Sequence, residues 1–141
     1  MTLLCTYIYR DMYANKGNNH EYSVTLRLSH GKIAKTPNNK PHTAGGDYGK
    51  RQIKSAKATV CKGTDLEAYL ADDRAETYVY CTNPDETGHC IAYEFTKPEY
   101  IEFVKLWGKV SRASSKNGGG LTIRLPAESK KLRAWLASQA L

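Results

Sequence analysis

The sequence lacks several features that would assign it to a common class of protein. No stretch approaches the ~20 consecutive apolar residues of a membrane-spanning helix. The start, MTLLCTYIYRDMY, has no charged segment followed by a long apolar run. No G-x-S-x-G element, Walker loop or Rossmann fingerprint is present. We therefore expect a soluble, cytoplasmic protein that does not contact membranes.

Cysteine is scarce and dispersed along the chain. The four cysteines form no C-x-x-C pair, which argues against a zinc knuckle and against a disulfide-dense secreted scaffold. They are Cys5, Cys61, Cys81 and Cys90, and we expect free, buried thiols.

With 40% hydrophobic residues, the chain suits one globular domain over residues 1–141.

Acidic residues are nearly absent from residues 30–62. This segment holds eight lysines and arginines but a single acid, Asp47, so its net charge of +7 equals that of the whole chain. Local positive charge of this kind is typical of a surface that binds a polyanion, most often nucleic acid. A solvated basic loop is the alternative.

The local signals are clearest after residue 63. The pattern TDLE at 64–67 is a capping box, and it predicts a short helix over 65–73. A strand over 76–82 should follow, and after a turn at 83–88 a second strand over 91–95 should return as its hairpin partner.

A second capping box, TKPE at 96–99, opens the C-terminal part of the chain. It predicts a helix that ends at Gly108. We expect a flexible loop over 114–120, a short strand over 121–125 and a last helix that begins at Pro126.

The first half of the chain is ambiguous. Residues 3–9 fit either a strand or the start of a helix. Apolar side chains fall at every second position of 21–28, which is the period of a strand, although Tyr22 and Leu26 also suit a helix. Proline and glycine predict an irregular loop over 35–46. Together the elements predict an α/β (α+β) fold with a central mixed β-sheet flanked by helices.

The motif Gln52-Ile53-Lys54 follows the lone acid of the basic segment. Successive side chains on a strand point to opposite faces, so Gln52 and Lys54 should share a face that Ile53 does not. If Asp47 lies on the neighbouring strand of a tight hairpin, its carboxylate converges with the Gln52 amide and the Lys54 ammonium. Such a group can support phosphodiester hydrolysis with Mg²⁺, which prefers oxygen ligands.

This arrangement resembles the core of the PD-(D/E)XK nuclease superfamily, which includes many restriction endonucleases. The resemblance rests on Asp47, the Gln52-x-Lys54 motif, and the helix and strand that follow, and it covers about residues 16–82. It implies a restriction-endonuclease-like core within a single domain. The C-terminal β-hairpin and helices over 91–141 would lie outside that core. It also implies a metal-dependent DNA endonuclease that uses Mg²⁺ or Mn²⁺.

The resemblance further implies a role for each site residue. Asp47 and Gln52 would bind the metal, and the main-chain carbonyl of Ile53 would add a ligand. Lys54 would act on the attacking water. Glu21 would contribute through a second metal or a bound water, and members of the superfamily carry this acid on a helix.

Side chains around the motif are expected to hold the DNA backbone, in contacts that weaken as salt is added. They are Lys35, Lys40, Lys50, Arg51, Ser55, Lys57 and Lys62. A nuclease of this size that cuts both strands would act as a homodimer, because one active site addresses one strand at a time.

Two other functions fit the same sequence. The first is a non-enzymatic protein that binds nucleic acid or a nucleoprotein, of phage or mobile-element type, including a degenerate nuclease relative. Its affinity would not depend on divalent metal. The second is a protein that binds a small anionic nucleotide through the segment 45–57.

Overall fold

A computed structural model describes residues 1–31, 48–62, 65–112 and 121–140. Within these ranges the chain forms four helices and seven strands, and the expected α+β fold is confirmed. In chain order they are β1 (Thr2–Ile8), α1 (Lys16–Leu28), β2 (Arg51–Ser55), β3 (Thr59–Lys62), α2 (Leu66–Asp72), β4 (Thr77–Cys81), β5 (His89–Thr96), α3 (Lys97–Trp107), β6 (Lys109–Arg112), β7 (Leu121–Arg124) and α4 (Lys130–Gln139).

The central sheet is mixed and has the strand order β1-β5-β4-β2. β5 is antiparallel to both β1 and β4, and β2 is parallel to β4 with Ile53 opposite Val79. Parallel neighbours cannot be joined by a tight turn, so the chain crosses from β2 to β4 through β3 and α2. A second, antiparallel sheet has the order β3-β7-β6.

β4 separates two hydrophobic cores, because both faces of the central sheet are covered. On one face Val79 packs with Ile53 of β2 and Val24 of α1. On the other face Tyr78 packs against Tyr100 of α3, with the two rings stacked 4.4 Å apart. Strands covered on both faces carry buried side chains at successive positions, as β4 does from Tyr78 to Cys81.

The ambiguous first half forms a strand and then a helix. Residues 3–9 belong largely to β1. The segment 21–28, which has the hydrophobic period of a strand, lies in the helix α1. Asn15 begins this helix by accepting a hydrogen bond from the Gly17 backbone N–H at 2.8 Å. The buried face of α1 carries Asn19, His20 and Ser23 as well as Val24, so hydrophobic periodicity could not reveal it.

The predicted elements of the second half are present, and the starts of two helices need correction. α2 has Asp65 as its N-cap, whereas Thr64 lies outside the described residues. α4 begins after Ser129, whose hydroxyl accepts from the Leu132 N–H, and not at Pro126. β3 and β6 were not expected as separate strands. The predicted loops over 35–46 and 114–120 lie outside the described residues.

The second capping box is confirmed, and α3 ends at the expected glycine. Thr96 and Glu99 exchange both hydrogen bonds of the box. A Cβ atom at Gly108 would lie 2.5 Å from the Val104 carbonyl oxygen, so only glycine fits there.

A buried polar pair attaches α1 to β1. His20 is 3% exposed, and its Nδ1 lies 2.7 Å from the Tyr7 hydroxyl. Burial lowers the pKa of His20 to about 4, and the nearby charge of Lys16 contributes to the shift. The imidazole is therefore neutral in the folded protein at pH 7.

The low pKa of His20 predicts a loss of stability in mild acid. The unfolded imidazole takes up a proton below its ordinary pKa of about 6.5, whereas the folded one resists until about 4, so stability falls across that window. At pH 4.5 the wild type should lose about 2 kcal/mol of unfolding free energy that His20→Gln does not lose. Urea denaturation of both proteins at pH 7 and 4.5 measures this, and equal losses would contradict it.

Candidate functional site

A cavity of about 370 Å³ opens between β2 and the C-terminal end of α2. It is lined by polar side chains from both elements and by apolar or aromatic side chains at its base and rim. The lining residues are Gln52, Lys54, Val60, Tyr69, Asp72, Asp73 and Tyr78. We call this cavity the β2–α2 cleft.

The alternation of β2 places the motif residues in this cleft. Ile53 is 4% exposed and lies in the core beneath α1. Gln52 and Lys54 point to the opposite face, and both line the β2–α2 cleft half-buried. The structure therefore brings the amide and the ammonium together.

The end of α2 supplies two carboxylates that the sequence reasoning missed. Asp72 is the last residue of the helix, and Asp73 is its C-cap. The negative end of a helix dipole disfavours acidic side chains, and no basic residue lies in the last turn of α2. This local conflict was the one signal in the sequence that could have drawn attention to the pair.

Hydrogen bonds fix the position of Asp73. The Tyr78 hydroxyl donates to its Oδ2, and the Ala75 backbone N–H donates to its Oδ1 at 3.3 Å. Lys97 Nζ donates to its main-chain oxygen at 2.9 Å. Burial and the Asp73 charge raise the pKa of Tyr78, so its hydroxyl stays protonated and remains a donor.

Lys54 is not paired with the carboxylates of its own cleft. Within the part of the chain that the structure describes, its ammonium makes no hydrogen bond or ion pair. Asp72 is exposed and is likewise unpaired among those residues. The β2–α2 cleft thus presents cationic and anionic groups that do not neutralise each other directly.

Glu21 is not brought to this cleft. It lies on α1, which packs against the Ile53 face of the sheet. Burial raises the pKa of the Cys81 thiol on that face, and the Glu21 charge contributes to the shift. Glu21 is helical, as the resemblance implied, but the sheet lies between it and Lys54.

Asp47 lies outside the described residues, and so do Lys35 and Lys40. A tight turn precedes β2, because the backbones of Tyr48 and Arg51 exchange hydrogen bonds of 3.1 and 3.0 Å. The expected position of Asp47 on a strand beside Gln52 and Lys54 stays a prediction. Gly49, with φ of +59°, occupies the first central position, as type II′ hairpin turns require.

The other expected DNA contacts have different surroundings. Arg51 Nε lies 2.6 Å from Glu94, which also accepts from the Thr77 hydroxyl at 2.8 Å, and Lys50 forms an exposed ion pair of 2.8 Å with Glu76. Ser55 is buried at 9% exposure, which leaves its hydroxyl little access to a phosphate.

Two further basic residues of this set follow β2 in the chain. Lys57 is exposed, with φ of +65°. Lys62 belongs to β3, and its side chain lies outside what the structure describes. Lys57 is thus an accessible cation, whereas Lys50 and Arg51 already have acidic partners.

The β2–α2 cleft is a sparse site for a metal ion. No group of three or more histidine, cysteine, aspartate or glutamate side chains in the described ranges is arranged to hold a metal. The cleft offers two carboxylates and one amide oxygen, which are the oxygen ligands that Mg²⁺ accepts while it keeps several waters.

No family model matches this chain, and no curated protein or solved structure matches it significantly. In residues 1–31, 48–62, 65–112 and 121–140, no helix is long and apolar enough to span a bilayer.

The hydroxyl of Tyr78 should matter to stability, and that of Tyr100 should not. Tyr78→Phe removes the donor to Asp73, and we expect a loss of about 1 to 2 kcal/mol in unfolding free energy. The Tyr100 hydroxyl is buried without a partner among the described residues, so Tyr100→Phe should be neutral or stabilising. Urea denaturation at pH 7 compares the two, and equal losses would count against this description of the cleft.

Proposed function

We propose that the protein is a magnesium-dependent DNA endonuclease whose active site is the β2–α2 cleft. One observation carries the proposal. Lys54, the Gln52 amide and the carboxylates of Asp72 and Asp73 line a single open cleft, in which Lys54 is not paired with either acid. A phosphodiester needs both kinds of group, because its oxygens attract cations and its hydrolysis is assisted by carboxylate-bound metal.

The donor set fits a hard divalent cation. Asp72, Asp73 and Gln52 would hold Mg²⁺ or Mn²⁺ through oxygen atoms, and Asp73 is already oriented by the Tyr78 hydroxyl. The bound ion would supply a Lewis acid for the phosphoryl oxygen and lower the pKa of a coordinated water.

Lys54 has the central role among the chain's own residues. Its ammonium binds a non-bridging phosphate oxygen and so positions the scissile phosphorus in the cleft. During hydrolysis a water oxygen bonds to phosphorus while the bond from phosphorus to a sugar oxygen breaks, and the proton that the water loses is balanced by the one that the departing sugar oxygen gains. Negative charge grows on the phosphate oxygens in this step, and a fixed ammonium stabilises it.

The surrounding cations hold the DNA backbone in this proposal. Lys57 is accessible without rearrangement. Lys50 is also available, because its ion pair with Glu76 is exposed to solvent and exposed pairs are weak. Arg51 is bound by Glu94 within the sheet, and its role is more structural than DNA-binding.

Cleavage of both DNA strands needs two active sites, so the proposal includes a homodimer. It also includes a cytoplasmic location, as expected from the sequence. A monomer would convert supercoiled plasmid to the nicked form, whereas a dimer would also produce linear DNA. Gel electrophoresis of the plasmid products therefore reports both the activity and the number of active sites that act together.

Substitutions in the cleft should abolish cutting without unfolding the protein. Supercoiled plasmid is incubated with Mg²⁺, Mn²⁺ or EDTA and with the wild type, Lys54→Ala or Asp72→Asn. We expect metal-dependent cutting by the wild type and a loss of about a hundredfold or more in each variant, because each removes a charge used in the transition state. Lys130→Ala and Glu86→Gln change exposed charges outside the cleft and should cut normally.

Two further results would separate the alternatives. Asp47→Asn tests whether the acid implied by the resemblance acts in the same site, and its loss of activity would add a ligand to the set. Absence of cutting with every metal, together with DNA binding that survives EDTA and Lys54→Ala, would reject the enzyme and favour a non-enzymatic nucleic-acid-binding protein.

A further inference from the structure

The outer edge of the central sheet lacks most of the residues that commonly protect a sheet edge. β1 is the end strand, and no strand in the described ranges pairs with its outer side. Its sequence TLLCTYI contains no charge and no proline, although edge strands are commonly protected by such residues. Leu3 and Ile8 are 47% and 49% exposed. Among the residues that the structure describes, none closes this edge to pairing with another extended chain.

The backbone groups of this edge point outward at Thr6 and Ile8. The Tyr9 N–H donates inward to the Gly88 carbonyl at 2.8 Å, and alternate residues of an antiparallel strand direct their N–H and C=O groups to opposite sides. On the outer side, Arg27 Nε donates to the Thr6 carbonyl at 3.3 Å. An incoming strand can bond to the remaining groups of Thr6 and Ile8.

A groove of about 470 Å³ runs between this edge and α1. Ile8 and Leu26 give it apolar walls, and Arg10 and Arg27 give it positive charge. The Arg10 backbone N–H is held by the Ser23 hydroxyl at 2.8 Å, which fixes the chain where β1 leaves the sheet. No aspartate or glutamate is among the described residues that line the groove.

We infer that this groove docks an extended acidic segment of a partner protein, which adds a strand to the outer edge of β1. Backbone pairing at Thr6 and Ile8 requires an extended chain, and alternate apolar side chains of that chain would pack on the groove walls. Acidic side chains between them would pair with Arg10 and Arg27. The inference does not depend on the proposed nuclease activity.

Charge decides between a different protein and a second copy of this one. Pairing two copies through β1 would bring Arg10 and Arg27 of each copy toward those of the other, while β1 itself offers no acid to compensate. An acidic segment neutralises the same two guanidinium groups. Nucleic acid would satisfy the arginines but would leave the apolar walls and the strand edge unused.

A blocked, fluorescently labelled peptide of about six alternating valine and glutamate residues tests the inference. We expect saturable binding to the full chain, with amide shifts at Thr6 and Ile8 by NMR. The double variant Arg10→Gln, Arg27→Gln should weaken binding about tenfold or more, because two charge-assisted contacts are lost. Arg74→Gln, an exposed arginine outside the groove, should bind the peptide as the wild type does.

Matched probes identify the mode of binding. The same peptide methylated on alternate backbone nitrogens should fail to bind, because it cannot pair with the strand edge, and a valine–lysine peptide should fail because of its charge. Binding that tolerates backbone methylation, or no binding of the glutamate peptide at all, would overturn the inference. So would displacement of the peptide by a short DNA duplex, or self-association of the free chain through β1.

Discussion

The parallel pairing of β2 with β4 is the constraint on which the proposed site depends. Because the two strands run in the same direction, the chain must return to the same end of the sheet before β4 begins, and α2 is the helix of that connection. The connection brings the C-terminal end of α2 back beside β2. A strand motif and a helix end that are separated by about twenty residues therefore line one cleft, with Lys54 on one element and Asp72 on the other.

Much of the second half of the fold could be predicted from sequence, because its helix ends are determined by residues close to them in the chain. The box formed by Thr96 and Glu99 and the tight approach at Gly108 fix α3 without reference to the rest of the chain. α1 could not be recognised in this way. Its buried face binds through Asn19 and His20, and polar side chains that are satisfied only by tertiary partners leave no hydrophobic period.

The candidate site likewise has a part that sequence could predict and a part that it could not. The common orientation of Gln52 and Lys54 follows from strand geometry alone, and the structure places both in the cleft. The contribution of Asp72 and Asp73 depends on which strand β4 pairs with, and that is set by long-range packing of Tyr78 and Val79. Sequence could show the acids at an unfavourable helix end, but not what they face.

The division of the interior by the central sheet has a consequence for how the protein opens. The core beneath α3 and α4 is the larger and is rich in aromatic rings, whereas α1 is attached through a smaller core and buried polar groups. Regions with fewer apolar contacts tend to open at lower free energy than the rest of a domain. α1 should therefore behave as a separate foldon, whose amides exchange with solvent while β4 and β5 remain protected.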